Sequence, residues 1–504
     1  MLNGIGIHVK NGYFIRLAIA VKTVHVMLHP FTSQLTPGAC PIPSPNSVHS
    51  ATQGPGPSVQ QPRKYEQPAV HVLMDPAFPY GEDLLQYVWE QRLFEQTELS
   101  TTDGLSVEVL KAGRIQHHSG PDLVDALVRV DGQVWAGNVE VHVRSSEWNA
   151  HGHQFDPAYD NVILHVVFEH DSEVRTRNGT VPPTVELMNR ISIPCLEQHQ
   201  TLMMSKEFVP CARQIVHVDQ GRIGVWLERV LVERLERKSA EVVALYLQLA
   251  KDPAETFYHV LARAFGLKVN VEPFGMLAHA MPLRTLLKYH DDPLRTEALL
   301  FGQAGLLRVD HVDEYPRQLQ AEHAALAGLH GLRPGPVAAW KFARLRPMNF
   351  PTVRIAQLAQ LLMRKDGINA LLEARDLMEL HRVLDIGTSP YWNDRYTFDR
   401  PSALREKRLG RAGSYHLIIN AVVPTLFALG RLQGRPELRD RALGLLEALP
   451  AESNTVLREW AAIGQGANSA ARGQALLELR NSYCARRRCL SCGVGNHLLK
   501  RSVG

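Results

Sequence analysis

The first sustained hydrophobic period in the chain begins at about Pro79. Within Glu82–Gln96 (EDLLQYVWEQRLFEQ), Leu84, Leu85, Val88, Trp89, Leu93 and Phe94 recur at helical spacing and predict an amphipathic helix. The period then shortens to two. Leu105–Leu110 alternates as a short strand, Gly120-Pro121-Asp122 signals a turn, and Leu123–Val130 reads as a second strand. Asp131-Gly132 between strand patterns is a strong hairpin signal, with Val134–Arg144 returning as the third strand. A polar stretch rich in His and Asp covers Ser145–Asp160, and the unbroken apolar run Asn161–Phe168 (NVILHVVF) predicts a buried strand. From Arg222 the pattern becomes helical: Ile223, Trp226, Leu227, Val230, Leu231 and Leu235 form one apolar face. Further helices are predicted at about 254–265, 295–306, 318–330, 353–363, 368–380, 415–431, 437–448, 454–464 and 469–482, with no fixed repeat period.

This order predicts an α+β chain: a mixed α/β module over residues 79–215, then a largely α-helical region over 216–504. Residues 1–78 lack such a pattern. Pro, Gly, Ser and Gln dominate 31–70, a composition that buries too little to offset its ordering entropy, so a disordered leader is expected. Met74 is the expected effective start, and Cys40 in the leader has no expected role.

Composition narrows the function classes. With 45% hydrophobic and 21% charged residues among 504, wholesale disorder is excluded. The net charge of +4 is compatible with nucleic acid but too weak to argue for it. Six cysteines do not make an extracellular disulfide framework, so a cytoplasmic location is expected. There is no run of 18 or more apolar residues, and no membrane span is expected.

The candidate chemistry lies in the first module. Alternation sets Val139, Val141 and Val143 on one face of the third strand, and Asn138, Glu140, His142 and Arg144 on the other. The hairpin makes this strand the neighbour of the one that Asp122 precedes. Carboxylates so placed can converge on one Mg²⁺, which takes one or two carboxylates and keeps several waters. A half-exposed strand and an ordinary turn would explain the same residues without chemistry. The following stretch holds Trp148, His151, His153, Asp156, Tyr159, Asp160 and His165 within 18 residues, a composition suited to Zn²⁺ or Mn²⁺. His165, inside an apolar strand, reads as a core residue. His151, His153 and Arg144 are expected at the mouth of the Asp122–Glu140 cleft, contacting phosphate or metal.

Near the C-terminus, Cys484, Cys489 and Cys492 form C-x4-C-x2-C, a metal signature because closely spaced thiolates can share a soft ion. Cys211 or His497 would supply a fourth ligand to zinc or an iron–sulfur cluster. Reduced thiols packed as small hydrophobes are the alternative. The aromatic and basic segments Trp340–Pro351 and Tyr391–Tyr396 suit phosphate and base contacts, but loop anchoring and ion pairing explain most of them better.

The order helix, three strands, loop or short helix, strand resembles the PD-(D/E)xK nuclease core, the restriction-endonuclease-like fold. The resemblance places the motif's Asp at Asp122, its Glu at Glu140, and the first helix's acid at Glu90. His142 stands where the motif has lysine, so an imidazole replaces a fixed positive charge. The resemblance implies a nuclease dependent on Mg or Mn, with Asp122, Glu140, His142 and Glu90 catalytic and nucleic acid as partner. Some such nucleases carry an iron–sulfur staple whose lone cysteine precedes the catalytic motifs, whereas Cys211 follows them. Two other readings stand beside this one: a non-catalytic nucleic-acid-binding protein on a degenerate nuclease fold, and a metallohydrolase on His151, His153, Asp156 and His165. Over residues 80–500 the chain also resembles the bacterial family known as domain of unknown function 2851. LLQYVWEQRLF, EALLFGQAGLL, ARLRPMNFPTVRIAQLAQL, YCARRRCLSCGVGN and the long segment from SGPDLVDALVRVDGQ to HVVFEHD carry that likeness. The family implies no activity.

Overall fold

The computed structural model describes residues 79–116, 119–333, 340–364 and 367–502. The expected leader, with Cys40 and Met74, lies outside the described residues. The architecture is mixed α/β, a sheet followed by many helices.

Helix α1 (Glu82–Glu90) buries Leu84, Leu85, Val88 and Trp89 on the predicted face. It stops six residues short of the expected end. Arg92 turns left-handed at φ 54°, and its guanidinium donates to the Leu110 carbonyl at 2.7 Å. Phe94 leaves the helix to bridge Ile191 while stacking on Trp89. Tertiary burial of the aromatic outweighs its helical spacing.

The sheet is built from β1 (Val107–Lys111), β2 (Arg114–Ile115), β3 (Leu123–Val130), β4 (Gln133–Arg144), β5 (Val162–Glu169) and β6 (Thr184–Glu186). Its order is β1-β3-β4-β5-β6, with β2 paired to the start of β3. β1, β3 and β4 run antiparallel, whereas β4, β5 and β6 are parallel. The Asp131-Gly132 turn closes the β3–β4 hairpin with both residues at positive φ, 46° and 80°. The β4-to-β5 crossover holds α2 (Glu147–Ala150) and two short 3₁₀ turns, the loop or short helix expected there. Strand β4 changes character along its length: its first residues are exposed, whereas Val139–His142 are buried on both faces. Parallel pairing to β5 on one edge and the crossover on one face produce that second cover.

After the sheet come α3 (Ile193–Met204) and the 29-residue α4 (Gln220–Gln248), capped by the Asp219 carboxylate accepting from the Arg222 amide. The apolar stripe of α4 is the one read from Ile223 to Leu235, and it packs against Val423–Leu432 and Ala470–Glu478. The predicted 368–380 helix is two, Asn369–Glu373 and Leu377–Leu384, because Asp376 caps the second. Helix α3, Val271–Ala280 and Gly493–Arg501 were not anticipated. Among the described residues, one helix, Gly410–Leu432, has the length and composition to cross a membrane, although 67% of its apolar window is buried inside the protein. The aromatic segments anchor loops: Trp340 donates to the Ala304 carbonyl, Trp392 to Glu297, and Arg395 pairs with Asp313. One buried cluster runs from Leu84 to Leu499, so the sheet and helices share a core.

Candidate metal centre

The hairpin register sets Leu123 opposite Val139, which brings Asp122 beside Glu140 and Val141. The Asp122 amide donates to Glu140 Oε2 at 3.0 Å, and the Val141 amide donates to Asp122 Oδ2 at 3.2 Å. Each carboxylate thus accepts from the backbone next to the other. Gln86 of α1 faces the Asp122 side chain, and Glu82, one turn earlier, interacts electrostatically with Asp122, Glu147 and Glu140. Burial, followed by repulsion among these carboxylates, raises Asp122 to about 7 and Glu82 to about 8. Burial alone pushes Glu140 up to about 8.

Three imidazoles complete the site. His142 Nε2 lies 3.7 Å from Glu140 Oε1 and 3.2 Å from His151 Nδ1, and His153 Nε2 lies 3.2 Å from the same Glu140 oxygen. One nitrogen from each of His142, His151 and His153 falls within 4.8 Å of the others, a spacing that can hold a metal ion. Gly152 allows both loop histidines to turn inward: it sits at φ 79°, a conformation that favours glycine. His153 stacks on Tyr159 with centroids 3.8 Å apart, and Trp148, buried behind it, donates to the Arg175 carbonyl. A small apolar cluster of Trp148, Tyr159, Val162 and Val174 supports the loop.

On the sheet side, His142 Nδ1 is 2.9 Å from His165 Nε2. With Nδ1–H of His142 donating, its Nε2 lone pair faces the cleft, the tautomer a metal ligand requires. Burial first, then the neighbouring imidazoles, depress His142 to about 2, so it is neutral.

The structure therefore brings together Asp122, Glu140, His142, His151 and His153, and separates others. Glu90 stands two turns along α1 from Glu82; its Oε1 accepts from the Ile115 amide at 3.1 Å, which engages it away from the carboxylate pair. Arg144 pairs with Glu169 across β4 and β5 at 3.3 Å. The set His151, His153, Asp156 and His165 is not one constellation: Asp156 caps a 3₁₀ turn through the Ala158 amide, and His165 lies behind His142 in the sheet. Glu82 and Gln86 were missed. Their signal was the i, i+4, i+8 row that they share with Glu90, which marks the face but not the residue. Away from this cleft, Cys211 lies with Cys484, Cys489 and Cys492, whereas the His497 imidazole sits among Arg222, Arg501 and Asp219.

Compared with known proteins, residues 82–455 match the family described as Protein of unknown function (DUF2851). No curated protein and no solved structure matches the chain.

Proposed function

The chain belongs to the DUF2851 family, and from that premise, which supplies no activity, we propose a metal-dependent phosphodiesterase of the nuclease type. The observation that carries the reading is convergence: the carboxyls of Glu82, Asp122 and Glu140 and the imidazoles of His142, His151 and His153 meet from α1, the hairpin and the crossover. Further support comes from the element order. A helix, an antiparallel hairpin, a crossover and a parallel strand follow one another as in the PD-(D/E)xK core. Asp122 stands just before the first hairpin strand and Glu140 lies within the second.

The donors are mixed, and that decides the ion. Imidazole together with carboxylate suits Mn²⁺ or Zn²⁺ better than Mg²⁺. A bound divalent ion supplies a water of lowered pKa and charge stabilisation at a phosphate oxygen. Glu140 and Asp122 would hold it, with His142 offering a neutral lone pair where the related motif has lysine. Gln86 orients Asp122, and Tyr159 fixes the ring of His153.

The test is titration of the full chain with Mn²⁺, Zn²⁺ and Mg²⁺ by calorimetry, beside cleavage of single- and double-stranded DNA and RNA. Asp122→Ala and Glu140→Ala are expected to abolish metal-dependent cleavage with the fold intact. His142→Lys is expected to lose the ion. Wild-type protein that binds no divalent ion in the cleft would overturn the reading. Binding of nucleic acid and metal without cleavage would favour the degenerate, non-catalytic alternative.

A further inference from the structure

Three stretches of chain bring four cysteines within electrostatic reach of one another, more widely spaced than the histidine trio. Cys211 follows α3, Cys484 opens the turn after Ala470–Glu478, and Cys489 and Cys492 precede the last helix, Gly493–Arg501. The Cys484 thiol is within electrostatic reach of Cys492, Cys211 and Cys489. Cys211, Cys489 and Cys492 are buried, and all four are free thiols.

Cys492 is the N-cap residue of the last helix, without a side-chain cap hydrogen bond. The indole N–H of Trp226, a residue only 9% exposed, has no hydrogen-bond partner among the described residues, and its ring lies against Gly493, the residue after Cys492. Close packing brings the helix to the loop: a Cβ on Gly495 would stand 2.2 Å from the Cys489 carbonyl oxygen.

We propose that Cys211, Cys484, Cys489 and Cys492 hold one soft-metal centre, zinc or an iron–sulfur cluster, which clasps the C-terminal segment to α1 and α3. The loop between the cysteines makes the contact to α3, and the last helix makes the one to α1. Arg487 donates to the carbonyls of Leu202, Met203 and Ser205, at the end of α3. Asn496 donates to the Leu490 carbonyl at 2.7 Å and accepts from the Tyr87 hydroxyl of α1 at 2.7 Å. Gln86, beside Tyr87, faces Asp122. The centre therefore sits at the far end of a short chain of contacts leading to the carboxylate cleft. The same loop, through Arg486, Arg488 and Ser491, lines a cavity of about 730 Å³ faced by Gln86 and Glu90.

The test is metal analysis of full-length protein purified without oxygen, with its visible spectrum. Stoichiometric zinc without colour identifies a zinc centre; iron and sulfide with a charge-transfer band identify a cluster. Cys489→Ser and Cys492→Ser should lose that metal and melt several degrees lower, whereas Cys195→Ala and Glu140→Ala should keep it. The Glu140 variant separates this centre from the histidine–carboxylate site. In case the serine variants fail to fold, wild-type thiols should react with a thiol reagent only after chelation or oxidation releases the metal. Wild-type protein with neither zinc nor iron, with undiminished metal in both serine variants, or with thiols equally reactive before and after chelation would overturn the proposal.

Discussion

Asp122, Glu140 and Glu82 titrate in a setting that makes the metal-free protein sensitive to alkali. Their folded values, about 7, 8 and 8, lie above those of the unfolded chain, so the folded state keeps protons that the unfolded state has released. Stability is therefore expected to fall as pH rises from about 4 through about 8. His142 and His165 act from the other side. Burial lowers them to about 2 and 3, so below about pH 6.5 the unfolded chain takes up their protons first, which offsets part of the carboxyl effect and overtakes it only below about pH 4.5. Three raised carboxyls outweigh two lowered imidazoles down to about pH 4.5, so thermal melts of metal-free protein should peak near about pH 4–5. Glu140→Gln should raise the midpoint at pH 8, an effect of roughly 1–3 kcal/mol, and flatten the alkaline decline; an unchanged profile would refute the assignment. Glu82→Gln should weaken divalent-ion affinity about tenfold, the loss of roughly 1.4 kcal/mol, whereas Glu90→Ala should leave calorimetric affinity within about twofold. The Asp122–Glu140 pairing was legible in the sequence because a two-residue turn fixes strand neighbours and alternation fixes the face. The choice between Glu82 and Glu90 was not, since both lie on one helical row and only the seating of α1 on the sheet selects between them.

Among the elements, the β3–β4 hairpin and its parallel neighbour offer two glycines that do different work. Gly132 has open space around a would-be Cβ but sits at φ 80°, so Gly132→Ala should cost about 1 kcal/mol from backbone strain alone. Gly137 has an ordinary backbone, yet a Cβ there would meet Ile163 Cγ2 at 2.5 Å and the Asn161 carbonyl oxygen at 2.8 Å. Gly137→Ala should cost more, about 2–3 kcal/mol, because it pries β4 from β5 near Glu140. Urea denaturation of both variants checks the order; equal losses would argue against the tight β4–β5 approach. Strands β3 to β5 were readable to within a residue or two from alternation and the hairpin signal. Helix α3 escaped because Cys195, His199 and Leu202 give it only a thin buried stripe, and the early end of α1 escaped because Phe94 fits the helical period it abandons.

Across the whole molecule, distant segments are locked by charge as well as by apolar packing. Glu478 is nearly buried and accepts from Arg234 at 3.2 Å and from Arg237 at 2.6 Å, joining α4 to the Ala470–Glu478 helix. Glu478→Ala leaves two arginines facing an unfilled site, Arg234 being largely buried, and should cost about 3 kcal/mol. A thermal midpoint within one degree of wild type would show that the pair is solvated. The sequence marked both helices but not this link, since residues 244 apart leave no local pattern.

The Tyr87–Asn496 hydrogen bond spans 409 residues, and it sets an order in time. Helix α1 is made early, yet its last partner leaves the ribosome hundreds of residues later. At roughly 5–20 residues per second, the interval is about 20–80 s. Throughout it, the Tyr87 hydroxyl is without this acceptor, so the seating of α1 against the last helix is a late event.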